Sequence, residues 1–149
     1  MFQKKTFIAF TTLLVITATV VWLSISNDTT AAEAKSGPSK SALILVQNPK
    51  QIPVVLKTCE ELLTNSKYQV KQARVLVCGQ AVNAITADSE NVSVIAHAKK
   101  TSIQIDACGI SLKKLAVSPE QLAEGVSHVD NALITAFELK VDGWISIDL

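Results

Sequence analysis

"QIDACGISLKKL", residues 104–115, is where the fold class is decided. An apolar run ends at Cys108 and Gly109, and a helical segment with two lysines follows at once. Strand, tight turn and helix in immediate succession mark an α/β unit. The same order occurs upstream, where "RVLVCG", residues 74–79, runs into "QAVNAIT", residues 80–86. Gly79 and Gly109 each let the backbone turn sharply after a cysteine.

The rest of the chain extends this alternation. "SALILVQ", 41–47, reads as a strand. Residues 49–68 carry the helical period, with Val55, Cys59, Leu62 and Leu63 on one face and Pro53 in the first turn. The second strand covers roughly 72–78, and its Val-Leu-Val centre is apolar on both faces, as a central parallel strand requires. Short helices are expected at 80–86 and 91–100, and a third strand at 101–108. Ser118 and Gln121 form a capping box for a helix at 118–125. A fourth short strand fits 126–130. Residues 131–143 read as a helix with Leu133, Ala136, Phe137 and Val141 on its apolar side, and 144–149 as the last strand. Together these imply a three-layer α/β/α sandwich on a mainly parallel sheet of about five strands. In such sheets chemistry collects beyond the carboxyl ends of the strands, where both Cys-Gly pairs fall.

The N-terminus differs from this. Lys4 and Lys5 precede an uncharged run, "TFIAFTTLLVITATVVWLSI", residues 6–25. It is about long enough to span a bilayer and longer than the apolar core of most cleaved signals. Residues 1–25 are a signal-anchor, or a signal peptide cut near "TTAAEA", 29–34. Lysines ahead of the span place the following domain outside the cytoplasm, on the periplasmic face or secreted into that space. Residues 26–40, small and polar with Gly37 and Pro38, are a linker. Residues 41–149 are then one domain, large enough for an ordinary core. With a net charge of +1 and 18% charged residues, no basic stripe argues for nucleic acid. The sequon at Asn91 is too common by chance to carry weight.

An exported domain meets an oxidising compartment, so the three cysteines matter. Cys108 stands at a strand end just before a helical turn, where unpaired N–H groups stabilise a thiolate. Lys113 and Lys114 add positive charge nearby. Asp106 points to the same face two residues earlier, and a carboxylate there raises a thiol pKa. Reactive thiol and packed core cysteine both fit these residues. Cys78 can pair with or resolve Cys108 if their strands are neighbours, which the sequence does not reveal. Cys59 belongs to the helix face that packs inward. His97 and His128 are candidate proton donors or acceptors. Three cysteines away from zinc-finger spacing and two histidines give no metal site, and no phosphate or dinucleotide fingerprint implies a cofactor.

Residues 103–149, above all "ACGISLKKL", "VDNAL" and the final "GWISI", resemble the C-terminal half of the DsrE-like (DsrE/DsrF) sulfur-relay family. "RVLVCGQAVNAI", 74–85, resembles its second strand and following turn. The resemblance implies a three-layer α/β fold, a homo-oligomer, and a cysteine that accepts sulfane sulfur as a persulfide and passes it to a partner thiol. That cysteine falls on Cys108, the glycine after it on Gly109, and the serine and leucine opening the next helix on Ser111 and Leu112. The N-terminal export segment departs from the family's cytoplasmic members. A sulfur carrier or sulfurtransferase is one expectation; a non-catalytic, membrane-tethered oligomeric module of the same fold is the other.

Overall fold

The computed structural model describes residues 39–149. Strand and helix alternate from β1 (Lys40–Val46) through α1 (Ile52–Thr64), β2 (Val70–Val77), a 3₁₀ segment (Gly79–Ile85), α2 (Val92–Lys100), β3 (Ile103–Cys108), α3 (Gly109–Leu115), β4 (Val126–Val129) and α4 (Ala132–Val141) to β5 (Ile145–Asp148). The run 6–25 and the linker up to residue 38 lie outside the described residues. Among those described, no helix is long and apolar enough to cross a membrane.

The five strands form one sheet in the order β4-β3-β2-β1-β5, and every neighbouring pair is parallel. β2 is central, and its Val75, Leu76 and Val77 are fully buried. Stepping from β1 to β4 always in one direction, with right-handed crossovers, leaves α1, α2 and α3 on one face. The long return from β4 to β5 places α4 on the other. The result is the three-layer α/β/α sandwich. The main core packs Ile44, Val46, Val75, Val77, Ile105 and Ala107 against the first three helices. A smaller core packs Leu43, Leu45, Leu76, Cys78 and Cys108 under Ala132 and Ala136 of α4.

Several elements depart from the expected bounds. The segment 118–125 forms only a 3₁₀ turn, Pro119–Gln121. Gln121 does accept from the Ser118 N–H at 2.8 Å, but Leu122 is extended and Gly125 has φ +94°, so the helix cannot continue. Residues 80–86 are likewise wound as 3₁₀ rather than α. α1 stops at Thr64, capped by an extended Asn65. Asn91 is buried, and its Nδ2 donates to the Ala84 carbonyl at 3.0 Å, so the sequon asparagine is spent on a local turn.

The larger correction concerns α4. Leu133, Phe137 and Val141, expected on its inner side with Ala136, face outward: Phe137 is 66% and Val141 71% exposed. The residues against the sheet are Ala132 and Ala136, with Leu139 and Trp144 beside them. The leucines of β1 and β2 already fill this side, so only small residues let the helix backbone settle against them.

Candidate active site

β2 and β3 are adjacent and in register, with Val77 opposite Ala107. One residue further on, Cys78 and Cys108 leave the sheet side by side at its carboxyl edge, on the α4 face. Both are buried, Cys78 7% and Cys108 4% exposed. The adjacency that the sequence left open is therefore real. Cys59 lies elsewhere, fully buried in the main core, where burial pushes its thiol up to about 12.

Cys108 caps α3 with extended backbone. Burial by itself would push its thiol up. That is outweighed by the backbone N–H groups of Ala132, Ser111 and Ile110 and by the Ser111 hydroxyl, which hold the thiol below its ordinary value. Two helix starts thus converge on one sulfur: α3 supplies Ile110 and Ser111, and α4 supplies Ala132. The Ser111 Oγ also accepts from the Gly79 N–H at 2.8 Å, which ties the turn after Cys78 to the start of α3.

Cys78 behaves in the opposite way. Burial, then the negative charge of Cys108, then a hydrogen bond to it push the Cys78 thiol up to about 12. Of the two, Cys108 is the thiol that ionises first and Cys78 the one that keeps its proton.

Gly109 has a different task from the one expected. Its φ is not in the left-handed region. A Cβ there would lie 3.0 Å from the carbonyl oxygens of both Val129 and Asp130. Its bare Cα lets the β4–α4 connection pass close enough to bring the Ala132 N–H over the sulfur. Gly79, with φ +55° and open space around it, is the glycine that turns the chain.

Asp106 does share the Cys108 face, but no bare carboxylate confronts the thiol. The Arg74 Nε donates to Asp106 Oδ2 at 2.7 Å, and Asp106 is buried. Lys113 and Lys114 are exposed in the last turn of α3, so the N–H groups rather than the ammonium groups favour the thiolate. Neither histidine reaches the cysteines. His97 pairs with Glu60 at 2.9 Å beside the groove between α1 and α2. His128 is exposed and in register with Ala107, on the face opposite Cys108. Among the described residues no cluster of metal-ligating side chains occurs.

A cleft of about 300 Å³ lies at the same sheet edge, lined by Gln47, Gly79, Gln80, Ser111, Lys114 and Leu115; neither cysteine lines it. Two features of the site were missed in the sequence: the N–H of Ala132 and the neutralising Arg74. Asn131 before an apolar run is a capping signal, and its side chain does accept from the Leu133 N–H at 3.1 Å. That signal marks where α4 begins but not what its first N–H faces.

The fold and site define an α/β protein with two neighbouring buried thiols, one of them lowered in pKa, at the carboxyl edge of a parallel sheet. No protein-family model and no curated protein matches the chain. Among solved structures, it is similar to MTH1491, a protein of unknown function from Methanobacterium thermoautotrophicum, at 16% identity and TM-score 0.65, covering 74% of this chain and 100% of that one. It is also similar to BT1422, a conserved protein of unknown function from Bacteroides thetaiotaomicron, at 15% identity and TM-score 0.61, covering 74% and 95%. Identities this low establish a shared fold.

Proposed function

We propose that this protein is a sulfur carrier or sulfurtransferase in which Cys108 accepts sulfane sulfur as a persulfide and passes it to a partner thiol. The observation that carries this reading is the place of Cys108 at the start of α3 and in the buried cluster under α4, where nearby N–H groups and the Ser111 hydroxyl hold its thiol below the ordinary value. A thiolate is the nucleophile in sulfur exchange. It attacks the outer sulfur of a donor persulfide, and the donor leaves as its thiolate. In the second half, a partner thiolate attacks the outer sulfur on Cys108, whose thiolate is the leaving group. No electrons are gained or lost overall, and a low thiol pKa makes Cys108 a good leaving group. In this reading donor and acceptor approach through the cleft lined by Gly79, which follows Cys78, and Ser111, whose hydroxyl favours the Cys108 thiolate. The resemblance of residues 74–85 and 103–149 to the DsrE-like family supports the same chemistry.

The chain self-associates in this reading, through the outward apolar face of α4 formed by Leu133, Ile134, Phe137 and Val141. Its N-terminal run carries the domain outside the cytoplasm, tethered or released, where the thiol-bearing donor and acceptor must also reside.

Mass spectrometry of the reduced full chain after exposure to inorganic polysulfide is the test. Cys108 gains the mass of one sulfur, and Cys108→Ser gains none. Labelling confined to Cys59 or Cys78 refutes the assignment. A second reading, a non-catalytic oligomeric module, is favoured by the 4% exposure of Cys108 together with the apolar α4 face. It predicts that Cys108 in the folded, reduced protein resists both polysulfide and small alkylating agents.

A further inference from the structure

We propose that Cys78 is a resolving thiol for Cys108, discharging the Cys108 persulfide as sulfide and closing a Cys78–Cys108 disulfide that silences the site. This rests on the persulfide reading above and adds a built-in limit to it.

Placement comes first. The two residues follow the in-register pair Val77 and Ala107 on adjacent parallel strands and belong to the same buried cluster. In-register neighbours on adjacent strands lie about 4.8 Å apart, inside the roughly 4.4–6.8 Å Cα separation that a disulfide tolerates. Both side chains lie in the same buried cluster beneath α4, so little movement is needed to join them. The α3 and α4 starts fix Cys108, and the bond between the Cys78 N–H and the Val46 carbonyl, 2.9 Å, fixes its neighbour. Cys59, in the main core on the other face, has no part in this.

The step balances within the molecule. The Cys78 sulfur attacks the Cys108 Sγ, the bond from that Sγ to the outer sulfur breaks, and the outer sulfur leaves with the bonding pair. Cys78 thiol plus Cys108 persulfide give the disulfide plus hydrogen sulfide. The sulfane sulfur is reduced to sulfide and the two cysteines are oxidised, so no further oxidant is needed. The disulfide holds no thiolate and cannot take up another sulfur. An external dithiol reductant restores both thiols and is itself oxidised to a disulfide.

Timing follows from the environment. Cys78 is protonated at neutral pH because of burial and of the neighbouring thiolate. Discharge is therefore slow, and a persulfide lasts long enough to meet an acceptor. Converting Cys108 to its persulfide lengthens the path from the charge to Cys78 and eases ionisation of Cys78. Without an acceptor, the charged site empties itself and closes.

The test uses the reduced full chain, loaded with inorganic polysulfide without oxygen, freed of excess reagent and followed in time. Wild type should lose the one-sulfur increment while sulfide appears in equal amount, and its mass should settle two hydrogens below the reduced protein, with Cys78 and Cys108 linked. The rate should rise about tenfold per pH unit as the Cys78 thiolate fraction grows. Cys78→Ser should retain the increment under the same conditions, and Cys78→Ala should do likewise if serine disturbs folding. An increment equally long-lived in wild type and in these variants overturns the resolving role while leaving sulfur loading intact. So does migration of the extra sulfur to Cys78 without a disulfide. If Cys108 takes up no sulfur in any of the proteins, both readings fall.

Discussion

Gly109 shows how a residue can be identified correctly and explained incorrectly. A glycine after a strand-ending cysteine suggests a sharp turn, and at Gly79 that is the reason it is there. At Gly109 the constraint is the neighbouring backbone at 3.0 Å. Gly109→Ala should push Val129 and Asp130 away and draw the Ala132 N–H off the sulfur. The expected cost is about 1–3 kcal/mol of stability. The pH midpoint for alkylation of Cys108 should also rise. Gly79→Ala, strained by its positive φ but meeting nothing closer than 3.9 Å, should cost about 1–2 kcal/mol and leave that midpoint in place. Equal midpoints in Gly109→Ala and wild type would remove Ala132 from the account of the thiolate. Asp106 teaches the same lesson. Its face was legible from the alternation of β3, but its partner Arg74 is on another strand and could be found only once β2 and β3 were known to be neighbours.

Among the elements, α4 is where the pattern of apolar residues misleads. Hydrophobic spacing predicts a face, but a helix with large apolar residues on one side and alanines on another does not say which side meets the sheet. Here the alanines do, because Leu43, Leu45 and Leu76 already occupy the space. Ala136→Leu should therefore overpack this interface and destabilise the domain by about 1–3 kcal/mol in thermal or urea unfolding. Phe137→Glu, on the exposed side, should leave the stability of the isolated protomer within about 0.5 kcal/mol. If the α4 face joins copies of the chain, Phe137→Glu should also lower the mass found by sedimentation equilibrium. An unchanged mass would remove that face from self-association. The capping box at Ser118 is a milder case: the local hydrogen bond forms as read, and the helix beyond it does not, because the chain is already extended at Leu122.

At the scale of the whole molecule, the three thiols give stability a pH signature. Cys59 and Cys78 are raised to about 12, so the unfolded chain ionises at them first. Their contribution is fully present below the ordinary thiol range, near pH 9, and is lost as pH rises toward 12. The loss approaches roughly 1.4 kcal/mol per pH unit for each thiol. Cys108 has the opposite sign: its folded-state value is lowered, so its contribution is present above the ordinary range and lost as pH falls through the folded value. Urea midpoints measured between pH 8 and pH 11 should fall for wild type, and less steeply for Cys59→Ala. Parallel slopes in the two proteins would exclude ionisation of Cys59 as a cause.

By itself, the sequence determined the strand–helix alternation, the parallel sheet and the place of Cys78 and Cys108 at its carboxyl edge. These follow from local periodicity and from glycine and cysteine positions, which are properties of short stretches of chain. Tertiary structure decided the strand order, and with it that the two cysteines are neighbours in one buried cluster. It also decided that α4 lends its first N–H to Cys108, that Arg74 neutralises Asp106, and that both histidines stay away. Each of these joins residues from different elements. Their contacts depend on which strands are neighbours and how closely a helix can settle on them, quantities that spacing along the chain does not encode.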